Sequence, residues 1–446
     1  MSEPYLFSAR PLRHTPVVQS NLSCQVQGTG DKEQVMYFVA KRIYQGGEAG
    51  RVSASAVRIA TAGVAIGILV MLISICVTVG FQREIKERIA SLIGHVQVIN
   101  SQSQYRTYSL PVQLTDSLTN EILNIPGVNT LRRFVLCPGM LKTDTEFRGI
   151  IFRGIEDGSS SQYISNNLVS GTLPSFRDDA TPSDSILVSA TVASALQVNA
   201  GERIYAYFFD EGLKVRRFTI AGIFRTDMAD FDSKMCYADL RTIQRLSKWE
   251  SDQYSGAEII LDDFNSLEAV SADLSSHFRM RDDDYGQFYA SPRVDEMFPQ
   301  IFSWLTLLDT NVIAILILMI CVAGVTMVSG LLIIILERTQ FIGIMKAMGA
   351  TNAQMRRTFL YLAAMIVVRG LFYGNLIALV LLFLQKQTHI LKLDPHSYYL
   401  SYVPVHFQWV EMSILNIITF IVCLLILIVP SYVISRVHPA RSIRFE

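Results

Sequence analysis

The stretch Ile59–Gly80, IATAGVAIGILVMLISICVTVG, decides the fold. It carries no charge, and at 1.5 Å per residue it is long enough to cross the roughly 30 Å hydrocarbon core of a bilayer as a helix. Three blocks of the same kind follow, at Val312–Leu336, about Thr358–Leu384 and about Met412–Ile434. Only the third is interrupted by a basic residue, Arg369. The reading is a membrane protein with four transmembrane α-helices.

Composition agrees. Of 446 residues, 50% are hydrophobic and 17% charged, and the mean hydropathy is +0.31, whereas soluble domains carry about 25% charge. Lys plus Arg equals Asp plus Glu at 39 each, so there is no basic excess to suit a nucleic acid. The six cysteines form no CxxC or other metal-ligand spacing, so neither metal nor cofactor is expected. Cys76, Cys321 and Cys423 lie in apolar spans and read as packing residues. The sequence leaves open whether Cys137 and Cys236 pair, since it does not place their Cα atoms.

Loop charge sets the orientation. Lys41, Arg42, Arg51 and Arg58 precede the first span, and Arg338, Lys346, Arg356 and Arg357 lie between the second and third. Arg436, Arg441 and Arg444 follow the fourth. Both ends and the middle loop are therefore expected in the cytoplasm. The chain from about Arg83 to Asp309 is expected outside, as a large α+β domain inserted between the first and second spans. Residues 1–35 read as a disordered extension with Met36 as a candidate start. No apolar h-region precedes the first span, which then acts as an uncleaved anchor.

The expected division is 36–82 for the lead-in and first span, 83–309 for the outer domain with its helical stalks, and 310–336 for the second span. A cytoplasmic loop at 337–357, the third span at 358–384, an outer loop at 385–411, the fourth span at 412–434 and a tail at 435–446 complete the chain. Within the outer domain, HVQVIN (His95–Asn100) alternates as a strand, Leu114–Val128 reads as a helix capped near Thr115 or Asp116, and TLRRFVL returns as a strand. The order recurs at Ala257–Asp263, Ser266–Phe278 and GQFYASP. Two such strand–helix–strand units suggest a ferredoxin-like module around a strand-rich insert at about 150–253. GERIYAYFF and VRRFTIAGIF form a hairpin around Asp210–Gly212. FQREIKERIASLIG and RVDEMFPQIFSWLTLLD extend the first two spans outward as helical stalks.

Several segments carry a resemblance. FVAKRIY, GFQREI, Leu331–Tyr361, LDPHSYYLSYVPVHF (Leu393–Phe407) and Pro430–Glu446 resemble the lipoprotein-releasing ABC permeases of the LolC/LolE type, within the MacB- and FtsX-like permeases. The likeness runs from Met36 onward. It implies a multi-pass protein of a Gram-negative inner membrane, with a periplasmic outer domain, that releases lipoproteins toward the outer membrane. The implied partners are a LolD-like cytoplasmic ATPase, a second permease subunit forming a homo- or heterodimer, lipoprotein cargo, a periplasmic lipoprotein carrier and membrane lipid. In the LolC type a long hairpin hooks the carrier, whereas YFFDEGLKVRRF here has only a tight turn. Export of a periplasmic substrate, as by MacB, and an FtsX-like signalling scaffold are the alternatives.

No catalytic constellation stands out, and GIMKAMGA (Gly343–Ala350) lacks the Gly-Lys-Ser/Thr ending of a phosphate-cradling loop. ATP hydrolysis is then expected of a separate subunit. A helix over Thr339–Met348 would align Phe341, Ile344, Met345 and Met348 as one apolar stripe, with Gly349 ending it at positive φ; Lys346 is a further coupling candidate on the same helix. That stripe suits either ATPase coupling or lying on lipid. Arg369 faces a polar cavity or partner, or else snorkels to the headgroups. Gly63 and Gly67 form a GxxxG pair for helix packing. Tyr398, Tyr399, Tyr402, Phe407 and Trp409 suit an interfacial aromatic belt or contact with acyl chains.

Overall fold

The computed structural model describes residues 38, 40, 51–105, 108–156, 159–174, 183–209 and 212–432. The N-terminal extension, the hairpin tip at Asp210 and Glu211, and the tail at 435–446 lie outside these residues. Among the described residues, four helices are long and apolar enough to cross a membrane: Arg51–Ile93, Pro299–Glu337, Asn352–Thr388, and Trp409–Ile426 prolonged by Ile428–Ser431. The first has 43 residues, about 65 Å of helix and twice what a bilayer core needs. The second does not begin at Arg293 as the sequence suggests. A short helix, Val294–Met297, stops at Phe298, and Pro299 opens the long one, the position where proline's missing N–H costs nothing.

The chain divides into two compact units, and each long helix contributes a stretch to both. One unit comprises residues up to 63, 324–370 and 420–446. Its helices touch through small residues: Gly330 lies against Ala60 and Gly324 against Ile426. The Arg356 guanidinium lies 4.0 Å from the Tyr432 ring centre.

The other unit comprises residues 64–323 and 371–419. Its helical part buries Ile68, Met71, Leu72 and Cys76 against Ala378, Leu382, Met412 and Leu415. Its α+β part holds strands β1 (Val96–Asn100), β2 (Val112–Gln113), β3 (Val128–Lys142), β4 (Phe147–Ile155), β5 (Leu168–Gly171) and β6 (Ser185–Ser189). The series continues with β7 (Arg203–Phe208), β8 (Lys214–Phe224), β9 (Met235–Asp239), β10 (Gln253–Tyr254), β11 (Gly256–Leu261) and β12 (Tyr289–Ala290).

The sheet order β12-β1-β11-β3 is that of two interleaved split βαβ units. The first unit runs through the helix Asp116–Leu123, which Thr115 caps by accepting the Leu118 N–H at 3.2 Å. The second runs through Leu267–His277. The ferredoxin-like reading thus holds for these elements.

The strand-rich insert is not a separate body. β3 runs 15 residues, and its second half closes a ring with β4, β9, β6, β8 and β7. This six-stranded barrel is filled by Phe152, Phe208 and Phe218, with ring centres 4.8–6.5 Å apart. Cys137 and Cys236 are both buried and form no disulfide. They pair with Phe152 from opposite sides, so two strand spacings, about 9.5 Å, separate their backbones, beyond the reach of a disulfide.

Candidate functional site

The segment between the second and third long helices is built from three local signals. Arg338, at φ −96° and ψ 16°, breaks the helix. Thr339 Oγ1 then donates to the Leu336 carbonyl at 2.6 Å and so occupies one of the open end groups. A short helix, Thr339–Ala347, follows. Gly349 ends it at φ +97°, a conformation that glycine adopts without a Cβ penalty. Ala350 N–H donates to the Met345 carbonyl and Gly349 N–H to the Lys346 carbonyl, both at 3.0 Å, the paired bonds of a Schellman end.

Two residues on, the next helix begins with a reciprocal cap. Gln354 N–H donates to Thr351 Oγ1 at 3.3 Å, and Thr351 N–H donates to Gln354 Oε1 at 2.8 Å. MGATNAQ therefore stops one helix and starts another, each with hydrogen bonds to its end groups. The sequence reading found the glycine stop but not the Thr-x-x-Gln start, although its spacing was there to read.

The short helix turns Ile342 and Gly343 inward and leaves the expected stripe outward. Ile344 is 47% exposed and Met348 70%, while Phe341, Met345 and Lys346 are half-buried. The result is a ridge of large apolar side chains on a short helix closed at its C-terminal end. Such a ridge suits insertion into a groove of a partner.

Arg369 lies on the exposed side of its helix beside Val368, whereas Ile366, Val367 and Gly370 are buried. Gly63 and Gly67 are used within the chain. A Cβ on Gly63 would come 2.5 Å from Thr326 Cγ2, and one on Gly67 would meet Ala323 Cβ at 3.4 Å. The sequence reading did not find the pair Asn375 and Asn416. Their amides exchange hydrogen bonds at 2.7 and 3.0 Å across two apolar helices, because each sits alone in its own block and only packing aligns them.

Beside the C-terminal end of the first helix lies a cavity of ≈ 900 Å³, bordered by Gln82, Arg83, Lys86, His95 and the turn Asp262–Asn265. Arg132 closes its inner end. It donates to the Ser91 carbonyl in the last turn of the helix at 3.0 Å and pairs with Glu258 at 3.1 Å, which also binds Arg153. Burial pushes the Arg132 pKa down, against the pull of Glu258. Burial likewise lowers that of His95, whose Nδ1 accepts the Leu261 N–H at 3.2 Å.

The halves of the chain match known families. Residues 59–277 match the MacB-like periplasmic core domain, and residues 312–439 match the FtsX-like permease C-terminal. Among similar proteins is the lipoprotein-releasing system transmembrane protein LolE of Haemophilus influenzae. It is 19% identical, over 91% of this chain and 98% of that protein. LolC of Xylella fastidiosa is 20% identical, over 86% and 92%. LolC of Neisseria meningitidis serogroup B is 21% identical, over 87% and 94%. The periplasmic region of MacB from Actinobacillus actinomycetemcomitans aligns with 49% of this chain and 97% of its own at 14% identity, with a TM-score of only 0.33. Both family matches and the relatives that align over nearly the whole length agree: the chain is similar to the MacB/FtsX-like permeases of the LolC/LolE type.

Proposed function

We propose that the chain is a permease subunit of an ABC transporter that releases lipoproteins from the inner membrane of a Gram-negative bacterium. The observation that carries this reading is similarity over nearly the whole length to lipoprotein-releasing proteins. The α+β domain then stands in the periplasm between the first and second spans, and both chain ends and the Glu337–Arg357 segment are cytoplasmic. A LolD-like ATPase grips the Phe341–Met348 ridge. Closure of the ATPase pushes that ridge, the long helices carry the motion outward, and the periplasmic domains of two permease subunits lift the lipid-anchored cargo toward a carrier. Support for the grip comes from the exposure of Ile344 and Met348 on a helix whose C-terminal end is closed by the bonds of Gly349 and Ala350.

Two experiments test this. Depletion in the native cell, followed by fractionation, should leave lipoproteins in the inner membrane; normal sorting would refute release and favour MacB-like export. Ile344→Asp with Met348→Asp should abolish co-purification of the ATPase at unchanged membrane insertion. Undiminished co-purification would remove the ridge from the mechanism.

A further inference from the structure

The segment Leu393–Phe407 reads from its sequence as an interfacial aromatic loop. In the structure it also joins the α+β domain to the outer end of the first long helix. At its upper end Leu400 is 1% exposed within the domain's core cluster, and Tyr399 packs on that cluster with its ring 6.3 Å from that of Trp304. Ser401 Oγ donates to Asp227 Oδ2. Asp227 itself holds a left-handed backbone at φ +60°, which costs a non-glycine residue energy and persists only when its surroundings enforce it. Arg88 of the first helix lies 3.7 Å from the same carboxylate and donates to the Thr226 carbonyl at 3.1 Å.

At its lower end the segment lies backbone to backbone on the helix. His406 N–H donates to the Cys76 carbonyl at 3.2 Å. A Cβ on Gly80 would stand 2.9 Å from both His406 N and the Pro404 carbonyl oxygen, so only glycine admits this approach. Arg83 Nη1 meets His406 Nε2 at 2.6 Å; since arginine can only donate, His406 accepts there. Between the two ends the segment is stiffened by its own bonds, Leu393 N–H to the Ser401 carbonyl and Val403 N–H to the Leu391 carbonyl, both at 3.0 Å.

We propose that Leu393–Phe407 is a releasable strap, with Ser401–Asp227 as its catch and the Gly80 notch as its anchor, that holds the domain against the first helix and must let go of Asp227 in each transport cycle. Its two ends are of different kinds. The anchor is backbone packed in a notch with little freedom, whereas at the other end the buried Leu400 is non-directional packing and the one hydrogen bond is a side-chain contact on a strained residue. The catch is thus the directional contact that a load on the domain has to break. The proposal goes beyond the function proposed above and rests on it only for the activity that is read.

The test uses the full-length chain with Asp227→Cys and Ser401→Cys, in native membranes together with its ATPase. A short, reducible bis-methanethiosulfonate linker should join the pair in resting membranes. Lipoprotein release should be lost on linking and return on reduction. Absence of linking in resting membranes would overturn the contact. Linking with undiminished release would overturn the need to let go. Should the reduced pair itself be inactive, Gly80→Ala decides: crowding the notch should loosen the strap and raise ATP hydrolysis per lipoprotein released, and an unchanged ratio refutes the strap. If no variant, wild type included, releases lipoprotein, the proposed function fails instead, and the linking result still reports the contact.

Discussion

Replacing Glu258 by glutamine probes the joint between the first helix and the domain. Glu258 is 2% exposed and serves two guanidinium groups, Arg132 at 7% and Arg153 at 3% exposure. The amide keeps the shape and removes the charge. Two buried cations are then left without a counter-ion, and breaking a buried pair in this way costs about 3–5 kcal/mol. For a domain of about 200 residues each kcal/mol lowers the melting temperature by about 2–4 °C, so the expected loss is about 6–20 °C. The chemistry also fixes a rank order. Arg153→Met leaves the Arg132–Glu258 pair intact and should be mildest. Arg132→Met also strips the Ser91 carbonyl of its donor, adding about 1–3 kcal/mol for a buried acceptor left unmade. Tryptophan fluorescence of the full-length protein in detergent, read through Trp249 and Trp304, follows the transition. A loss below about 2 °C for Glu258→Gln, or a larger one for Arg153→Met, would refute the reasoning.

Asn375→Leu and Asn416→Leu should each destabilise the helical part, and their double-mutant cycle should return a coupling of about 0.6–1.7 kcal/mol in detergent unfolding; additivity would mean the amides do not act as a pair. Gly63→Ala should impair stable insertion through its clash with Thr326 Cγ2, and Thr326→Ser, which removes that methyl, should restore it. His95 has a folded pKa depressed below its ordinary 6.5, first by burial and then by Arg132. The unfolded chain therefore binds the proton more readily, and stability present above pH 6.5 should fall as pH drops from 6.5 toward the depressed folded value. His95→Gln should flatten that part of the pH profile; an unchanged slope would show that His95 is not its source.

What the sequence determined by itself was whatever depends on local order. Apolar runs gave the four long helices, because burying unpaired backbone in hydrocarbon leaves helix as the local solution. Strand alternation and the Thr115 cap gave the two split βαβ units, and the spacing of Phe341, Ile344, Met345 and Met348 gave the outward ridge, since a helix repeats every 3.6 residues wherever it sits. Gly349 was readable for the same reason. The tertiary structure decided what depends on which partner arrives. β3 changes phase at Phe134 and Val135, both buried, where its partner changes from β11 to β4, and only the arrival of those partners gives the change its meaning. Cys137 and Cys236 looked pairable until Phe152 stood between them. Gly63 and Gly67 advertised a close helix contact without saying that Thr326 and Ala323 of the same chain would fill it. Arg132, Glu258 and Asn375 are ordinary polar residues in sequence. The strap at Leu393–Phe407 looked like an aromatic belt because composition reports affinity for an interface, whereas Leu400 and Ser401 found their places through contacts with residues more than a hundred positions away.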